Sequence, residues 1–156
     1  MIRTLHCTTP FGWVSVEIHH DVLQAVRWSE APASLNIDTV LFDYMNMLLK
    51  GEPVVCPWSI VLQGTPFQRA VWTALTTIPF GETRSYSDIA KQVGSPRASQ
   101  SVGQACKRNP LPLVIPCHRV VRVSNGLGGY CGIVNSDLKM RLLANEKKSV
   151  EFYRPC

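Results

Sequence analysis

The sequence predicts an α/β protein in two parts, a small N-terminal α/β unit over residues 1–60 and a mainly helical domain over residues 61–156. Two observations predict this division. Strand-like alternation of apolar and polar residues is confined to the first third of the chain, whereas helix start signals recur between residues 65 and 96. A cysteine and a histidine stand side by side in the second part, so we expect any chemistry there.

The pattern of the first part predicts a strand hairpin followed by one helix. Residues 12–18 alternate apolar and polar side chains with a period of two, and residues 22–28 can form the second strand. Residues 37–49 predict a helix, and Lys50-Gly51 supplies its basic last turn and its stop. The apolar positions at helical spacing are Val40, Leu41, Tyr44, Met45 and Leu48. This part contains no group of side chains typical of catalysis.

The second part begins with three helices in close succession. Thr65-Pro66-Phe67-Gln68 combines an N-cap, a proline at the first helical position and a glutamine three residues after the cap. The helix that it starts ends near Pro79-Phe80-Gly81. Ser85 can cap a second helix, which Gly94 closes, and Ser95-Pro96 opens a third helix from Arg97 to Arg108. Two short helices joined by a tight Gly-Ser-Pro turn have the layout of a helix-turn-helix.

The third predicted helix has mostly small side chains, with polar and cationic residues between them. Its small residues are Ser99, Ser101, Gly103 and Ala105, and its polar or cationic residues are Arg97, Gln100, Gln104, Lys107 and Arg108. Such a helix can approach a nucleic-acid backbone closely, so that its N-terminal amides and Arg97 meet phosphate. A solvated surface helix is the other interpretation of this composition.

One thiol stands beside one imidazole at Cys117-His118. The apolar run at residues 113–115 predicts a short buried strand that leads into Cys117, and Val120-Val121 continues it. A free thiol has a pKa of about 8.5, so a nucleophilic cysteine needs a nearby base or cation. His118 and Arg119 are the local candidates. On this pair alone, a small buried structural cysteine is the alternative.

Two further segments follow the cysteine. The glycines of residues 124–130 permit a close-fitting loop, which lacks the lysine and hydroxyl residue of a phosphate-binding loop. A last helix is predicted from Asp137 to Lys147, and it carries Glu146.

Composition excludes several classes of protein. With 46% hydrophobic residues among 156, the chain can bury a core without disulfide staples. The first residues lack a signal sequence, so we expect an intracellular protein whose six cysteines are reduced. No apolar stretch approaches the roughly 20 residues of a membrane span, and no Cys-x-x-Cys pair suggests a metal site. A net charge of +5 and a pI near 9.0 favour a polyanionic partner.

Several ordered segments resemble one family. They are Gly64-Thr65-Pro66-Phe67-Gln68, Val71-Trp72, Ile78-Pro79, Gly81-Glu82, Ser85-Tyr86, Val102-Gly103, Asn109, Pro116-Cys117-His118-Arg119-Val120 and Gly128-Gly129-Tyr130. On these motifs the chain resembles the O6-alkylguanine-DNA alkyltransferases, also called methylated-DNA–protein-cysteine methyltransferases. The resemblance covers about Gly64 to Glu146. The first third matches mainly by its placement and by Pro10-Phe11-Gly12.

The resemblance implies a mechanism without a cofactor or a metal. The damaged guanine is swung out of double-stranded DNA, and its O6-alkyl group moves to Cys117, with His118 as the base through a water and Glu146 orienting His118. Tyr86 is the implied proton donor to the leaving guanine, and Asn109 braces the loop beneath the cysteine. Since alkylation leaves a thioether that water does not readily cleave, each molecule acts once.

The resemblance also implies the binding residues and the architecture. The backbone at Cys117 and Val120 accepts from the base, and the pocket walls are Pro112, Tyr130 and Gly128-Gly129. The other residues expected to meet DNA or the base are Ser95, Arg97, Ala98, Ser99, Gln100, Gly103, Arg119 and Cys131. A ribonuclease H-like first domain and a winged helix-turn-helix that enters the minor groove are implied. So are a monomer in solution, with cooperative binding along DNA left open, and a nucleoid-associated cytoplasmic or, in a eukaryote, nuclear location.

Two residues depart from the family's pattern. Gln100 stands where members usually place an arginine that fills the gap left by the extruded base, and glutamine is shorter and uncharged. We therefore expect weaker DNA affinity. Cys131 stands where a serine is common, so contact with the guanine oxygen would rest on backbone amides.

Three other classes of function compete with alkyl transfer. A non-enzymatic protein that recognises alkylated bases would use the same pocket, but such relatives lack the nucleophile that Cys117 provides. A helix-turn-helix transcription regulator needs longer side chains on its recognition helix to reach base edges than the small residues found here, which argues against this class. A cysteine hydrolase has no support beyond the Cys-His pair.

Overall fold

The computed structural model describes residues 1–34, 36–123, 128–131, 133–134 and 137–153. It separates into two compact units, Met1–Leu62 and Gln63–Cys156. The boundary between them lies two residues after the predicted one, which followed residue 60. Most of the predicted glycine-rich loop, residues 124–127, lies outside the described residues. Within the described chain, no helix is both long enough and apolar enough to cross a membrane.

The first unit is built on a meander of three antiparallel strands. Strands β1 (Ile2–Thr9), β2 (Gly12–His19) and β3 (Val22–Ser29) pair in order, and β4 (Ser59–Ile60) joins β3 in parallel. The predicted hairpin is confirmed. The alternating positions Val14, Val16 and Ile18 on β2 are fully buried, which is why the period-two pattern was readable in the sequence.

The helix of the first unit, α1 (Thr39–Lys50), begins two residues later than predicted. Asp38 is the cap, because its side chain accepts a hydrogen bond from the Leu41 amide at 2.9 Å. Gly51 ends the helix with a φ of 72°, as the sequence suggested. Leu41, Tyr44 and Met45 are buried, but Val40 is 52% exposed and does not belong to the apolar face.

The second unit contains the three predicted helices, α2 (Pro66–Leu75), α3 (Tyr86–Gln92) and α4 (Ser99–Lys107). Thr65 and Gln68 form a reciprocal capping box at the start of α2, and Ser85 and Asp88 form another at the start of α3. The buried indole of Trp72 donates to the Ala105 carbonyl at 2.8 Å and so ties α2 to α4. Helices α3 and α4 are joined by a turn at Gly94, whose φ is 80°.

Two boundaries among these three helices were wrong. Helix α4 starts at Ser99, so Arg97 lies in the turn before it and not on the helix. Its N-cap, Ala98, makes no side-chain cap, and the local start signal at Ser95-Pro96 therefore misplaced the first turn. Helix α2 ends at Leu75, and Ile78 is buried in the turn that follows.

The predicted strand before Cys117 was also wrong. Residues 113–115 form a turn closed by a bridge between Pro112 and Ile115, and Leu113 has a φ of 74°. The prolines at 110, 112 and 116 have no amide hydrogen to give to a strand ladder, so the apolar run is buried as a turn.

Short elements complete the second unit. One 3₁₀ turn, Cys117–Arg119, runs into β6 (Val120–Val121), which pairs in parallel with β5 (Arg84–Ser85). Strands β7 (Gly129–Tyr130) and β8 (Ile133–Val134) form a small antiparallel pair. The last helix, α5 (Asp137–Tyr153), extends past the predicted end at Lys147.

Candidate active site

Cys117 is held at the start of the 3₁₀ turn with only 5% of its surface exposed. The turn before it is braced by Asn109, whose side-chain amide donates to the Ile115 carbonyl at 2.9 Å and whose oxygen accepts from the Leu111 amide at 2.9 Å. The Cys117 amide itself donates to the Ile115 carbonyl. Asn109 thus holds the backbone turn that precedes the thiol.

The two ring nitrogens of His118 have different surroundings: one contacts a carboxylate, and the other has no hydrogen-bond partner within the described residues. Its Nε2 lies 2.8 Å from Oε1 of Glu146, and both side chains are buried. Because an ionised carboxylate only accepts hydrogen bonds, Nε2 carries the hydrogen. Nδ1 is buried and makes no hydrogen bond within the described residues. The ring therefore presents Nδ1 as its basic nitrogen.

The ionisation of this pair suits a base and its orienting group. Burial lowers the pKa of His118 and outweighs the opposite effect of Glu146, so the imidazole is neutral near pH 7. Burial alone would raise the pKa of Glu146, but hydrogen bonds from His118 and Arg119 reverse this and lower the pKa. The site thus combines a neutral imidazole with an ionised carboxylate.

The side chain of Arg119 is held by contacts within the second unit. Its Nε and Nη2 lie 2.9–3.1 Å from the oxygens of Glu146, its Nη1 donates to the Ile78 carbonyl at 2.9 Å, and the guanidinium lies 5.5 Å from the ring centre of Phe80. The Gly81 amide also donates to Glu146. These contacts lock the carboxylate that orients His118, so the guanidinium of Arg119 does not face the cavity.

A cavity of about 570 Å³ lies in front of the thiol. Its size suits a small planar ligand such as a nucleobase. Residues of α3, α4 and β7 line it together with the thiol. Those predicted as site residues are Tyr86, Ser99, Gln100, Gly103, Cys117, Gly128, Gly129, Tyr130 and Cys131.

The remaining predicted residues lie elsewhere. Ser95, Arg97 and Ala98 border a separate concavity at the turn before α4. Pro112 and Val120 are buried, and neither lines the cavity.

Tyr86 stands over the cavity with its hydroxyl against the Gly128 backbone. A methyl group on Gly128 would lie 2.4 Å from the phenolic oxygen, so only glycine permits this approach. Burial raises the pKa of Tyr86 to about 12, with Cys106 and Cys117 adding to the shift. The phenol therefore keeps its hydrogen near neutral pH and can donate it.

Replacing Gly128 with alanine should slow any reaction that needs the Tyr86 hydroxyl, because the new methyl group displaces that oxygen. Gly12→Ala is the matched control, since Gly12 lies in the first unit with a φ of 132°, and an added methyl group there would meet only the Trp28 ring, at 4.0 Å. Both variants should lose at least about 1 kcal/mol of stability from the strained backbone, and Gly128→Ala should lose more because of its contact with Tyr86. Only Gly128→Ala should lower the reaction rate, by at least about tenfold, and equal rates in the two variants would contradict this role for the contact.

The thiol of Cys117 is protonated at rest. Burial raises its pKa to about 12, although a hydrogen bond from Asn109 and the charge of Lys139 act in the opposite direction. Because the thiolate is the nucleophilic form, the site must remove the proton during the reaction. His118 is the neighbouring residue in the chain and offers a free basic nitrogen.

Lys139 is a buried charged residue of the site that the sequence analysis missed. It is fully buried on α5, and its Nζ donates to the carbonyls of Val120 and Gly129 at 2.5 and 3.2 Å. The same ammonium lies 5.8 Å from the centre of the Tyr86 ring. Burial lowers its pKa to about 8, while Cys117 and Cys106 favour its charged form. Lys139 therefore links the backbone after Cys117 to the backbone of the cavity wall.

A helical spacing could have revealed Lys139. Lys139, Leu142 and Glu146 stand at positions i, i+3 and i+7 and are all buried, so they occupy one inward face of α5. A lysine in such a stripe is unusual, because lysine is almost never fully buried without partners.

Comparison with known proteins gives the family. The model of the family "6-O-methylguanine DNA methyltransferase, DNA binding domain" matches residues 66–148. A methylated-DNA–protein-cysteine methyltransferase of Mycobacterium bovis is 37% identical over 94% of this chain and 93% of its own length. A constitutive one of Bacillus subtilis is 54% identical over 83% of this chain and 75% of its own length.

Solved structures agree with the sequence matches. The crystal structure of Mycobacterium tuberculosis O6-methylguanine methyltransferase superposes with a TM-score of 0.77 at 34% identity and covers 99% of this chain and 100% of that chain. The crystal structure of Mycobacterium tuberculosis OGT in complex with DNA gives 0.76 at 35% identity, with 94% and 93% covered. The mixed α/β fold is thus that of a class of methyl-transferring proteins that act on DNA. The chain belongs to the methylated-DNA–protein-cysteine methyltransferase family.

Proposed function

We propose that this protein repairs DNA by moving the alkyl group of O6-alkylguanine to its own Cys117. The observation that carries the proposal is the buried arrangement of Cys117, His118 and Glu146 at a cavity of about 570 Å³. Cys117 would be alkylated once, because a thioether offers no bond that water readily cleaves. The reaction needs neither a cofactor nor a metal in this scheme.

The transfer can be written with each group in one role. Nδ1 of His118 takes the thiol proton through a water, while Glu146 stabilises the imidazolium that forms. The Cys117 sulfur then bonds to the alkyl carbon as the carbon–O6 bond breaks and the electron pair stays on the guanine. The Tyr86 hydroxyl supplies a proton to the leaving guanine, and the His118 imidazolium passes the former thiol proton through water to the Tyr86 phenolate, so that guanine leaves neutral and both side chains regain their starting states.

The walls of the cavity would hold the extruded guanine. The carbonyl of Cys117 would accept from its exocyclic amine. Val120 does not line the cavity and its carbonyl accepts from Lys139, so the predicted contact of Val120 with the base is not part of this proposal. Tyr130 and the Gly128-Gly129 backbone line the cavity and would enclose the ring, whereas Pro112 lies outside its lining. With Cys131 in place of serine, the guanine oxygen would be held by backbone amides.

We assign the DNA contact to α3, the Gly94 turn and α4, as the helix-turn-helix of a winged domain in which β7 and β8 form the wing. The first unit would be ribonuclease H-like. Residues proposed to meet the minor groove or its phosphates are Ser95, Arg97, Ala98, Ser99, Gln100 and Gly103. For Arg119 we propose a positioning role through Glu146 in place of the predicted contact with DNA.

The proposed substrate also implies a location in the cell and a form in which the protein binds DNA. A protein that acts on genomic DNA would lie in the nucleoid of a prokaryote or the nucleus of a eukaryote. It would bind double-stranded DNA as a monomer in solution, and cooperative binding along the duplex is a property to be measured.

Titration against a duplex that contains one O6-methylguanine tests the proposal. The repaired DNA should rise in proportion to the added protein and stop at one lesion per molecule, because each thiol is used once. Repair of many lesions per protein would refute single use. Tight binding without repair would favour a protein that recognises alkylated bases without transferring the group.

Changing Gln100 to arginine should strengthen DNA binding. Gln100 is exposed on α4 and lines the cavity, so an arginine there gains a charge-assisted contact with the duplex. We expect the dissociation constant to fall about fivefold, which corresponds to about 1 kcal/mol. Binding is measured by fluorescence anisotropy at fixed salt, together with the repair rate.

Thr73→Arg is the matched control for this prediction. Thr73 is exposed on α2 and lies outside the cavity, so an arginine at this position adds the same charge without the same contact. If Gln100→Arg changes neither affinity nor repair rate beyond this control, the glutamine does not weaken DNA binding.

A further inference from the structure

Three thiols line the cavity in front of the proposed nucleophile. Cys106 on α4 is 8% exposed, Cys117 is 5% exposed, and Cys131, just after β7, is exposed. All three are free cysteines. The alkyl-transfer scheme uses only Cys117, so the other two thiols have no assigned chemistry.

The thiols are close enough to influence one another. A negative charge on Cys131 raises the pKa of Cys117, and a charge on Cys117 raises the pKa of Cys106. Cys131 also has a φ of 49°, a left-handed conformation that fixes its place at the corner after β7. Cys131 is therefore an accessible thiol, and Cys117 is a protected thiol in the same cavity.

We propose that Cys131 is a thiol-modification site that reacts with small disulfides such as oxidised glutathione and passes the bond to Cys117. The Cys131 thiolate attacks the external disulfide, which forms a mixed disulfide and releases one glutathione thiolate. The Cys117 thiolate then attacks the Cys131 sulfur, which forms a Cys117–Cys131 disulfide and releases the second thiolate. One external disulfide is reduced to two thiols, and the two cysteines are oxidised.

Exposure selects Cys131 over Cys106 as the first thiol to react. Burial raises the pKa of both thiols, and for Cys106, which is nearly buried on α4, it raises the pKa to about 12. Cys117, at 5% exposure, is more protected than Cys106, at 8%. Cys131 is therefore the entry point, and Cys117 is reached only through it.

The modification would control the proposed repair activity, and in this respect it rests on the proposed function. A disulfide at Cys117 blocks alkyl transfer, but thiols reverse it, whereas sulfinic and sulfonic acids at the same sulfur are irreversible. A protein that uses each cysteine once would thus keep its nucleophile in a recoverable form during oxidative stress.

The test treats the full chain with oxidised glutathione at about pH 8.5, where more thiolate forms. Free thiols are then blocked with iodoacetamide, and intact mass and peptide maps are recorded. We expect a loss of about 2 Da before blocking, a bond that maps to Cys117 and Cys131, and recovery of the reduced mass with dithiothreitol. A bond between any other pair, or none, would overturn the proposal.

Two variants sharpen the result. Cys131→Ser should form no internal disulfide, and its repair activity, measured against its own reduced sample, should decay about tenfold more slowly than that of the wild type. Cys106→Ala should oxidise as the wild type does. If Cys131→Ser loses activity as fast as the wild type, Cys131 is not the entry point.

The two proposals can fail separately. The reduced wild-type sample reports whether the protein repairs O6-methylguanine at all. The disulfide is read from the mass and the peptide map, which do not depend on any repair activity.

Discussion

Replacing Glu146 with glutamine should lower the rate of alkyl transfer by about 10²–10³-fold, because the amide no longer stabilises the imidazolium that His118 becomes. The same change leaves the guanidinium of Arg119 without its carboxylate in a buried position. Loss of one partner of a buried ion pair costs about 3 kcal/mol of stability. Single-turnover repair kinetics and urea denaturation measure the two effects separately.

Glu82→Gln is the control for this change. Glu82 is exposed, and its oxygen lies 3.5 Å from Arg84, so its loss should alter stability by less than about 0.5 kcal/mol. The repair rate of this variant should match that of the wild type. A wild-type rate in Glu146→Gln would show that the carboxylate does not act through His118.

Acid should destabilise the protein in two stages. The folded-state pKa of His118 is lowered by burial, so the unfolded chain takes up this proton first, and stability falls as the pH drops below about 6.5. The folded-state pKa of Glu146 is also lowered, so its contribution is present above the unfolded pKa and is lost as the pH falls through the folded value. Urea midpoints at several pH values measure this, and the second stage should be smaller in Glu146→Gln, where only other carboxylates with a lowered pKa, such as Asp88, remain.

Removing the charge of Lys139 is the second change with a large expected effect. In Lys139→Met the carbonyls of Val120 and Gly129 lose the ammonium that they share, and an unsatisfied buried carbonyl costs about 1–3 kcal/mol. Methionine nearly conserves the volume of the side chain, so packing is largely kept. We expect a loss of about 3 kcal/mol in the free energy of unfolding.

The same variant should also react more slowly. The charge of Lys139 favours the thiolate of Cys117, and its hydrogen bonds hold β6 against the wall at β7. We expect alkyl transfer to slow by about tenfold or more. Lys147→Met, on an exposed position of the same helix, is the control. If both variants keep the wild-type rate, Lys139 has only a structural role.

Helix starts were predictable because their signals are local. Thr65 and Ser85 cap helices through hydrogen bonds to residues three positions further along, and the sequence contains both partners. The start of α4 was misplaced because Ala98 provides no such bond. The strand predicted before Cys117 failed because an apolar run shows burial but not conformation, and three nearby prolines favour a turn.

The chemistry of the site was only partly local. Cys117 and His118 are neighbours in the chain, so their pairing could be read directly, whereas Glu146 was reached through the resemblance to a family. The roles of Arg119 and Lys139 depend on contacts across 27 and 19 residues. Such contacts leave no signal at the position itself, apart from the buried face that Lys139 shares with Glu146.

The most direct test of alkyl transfer is the mass of the protein after incubation with a duplex that contains one O6-methylguanine. Wild-type protein should gain about 14 Da, one methyl group, and peptide mapping should place it on Cys117. Cys117→Ser should gain nothing. A mass gain on another residue, or equal gains in both proteins, would contradict the assignment of Cys117 as the acceptor.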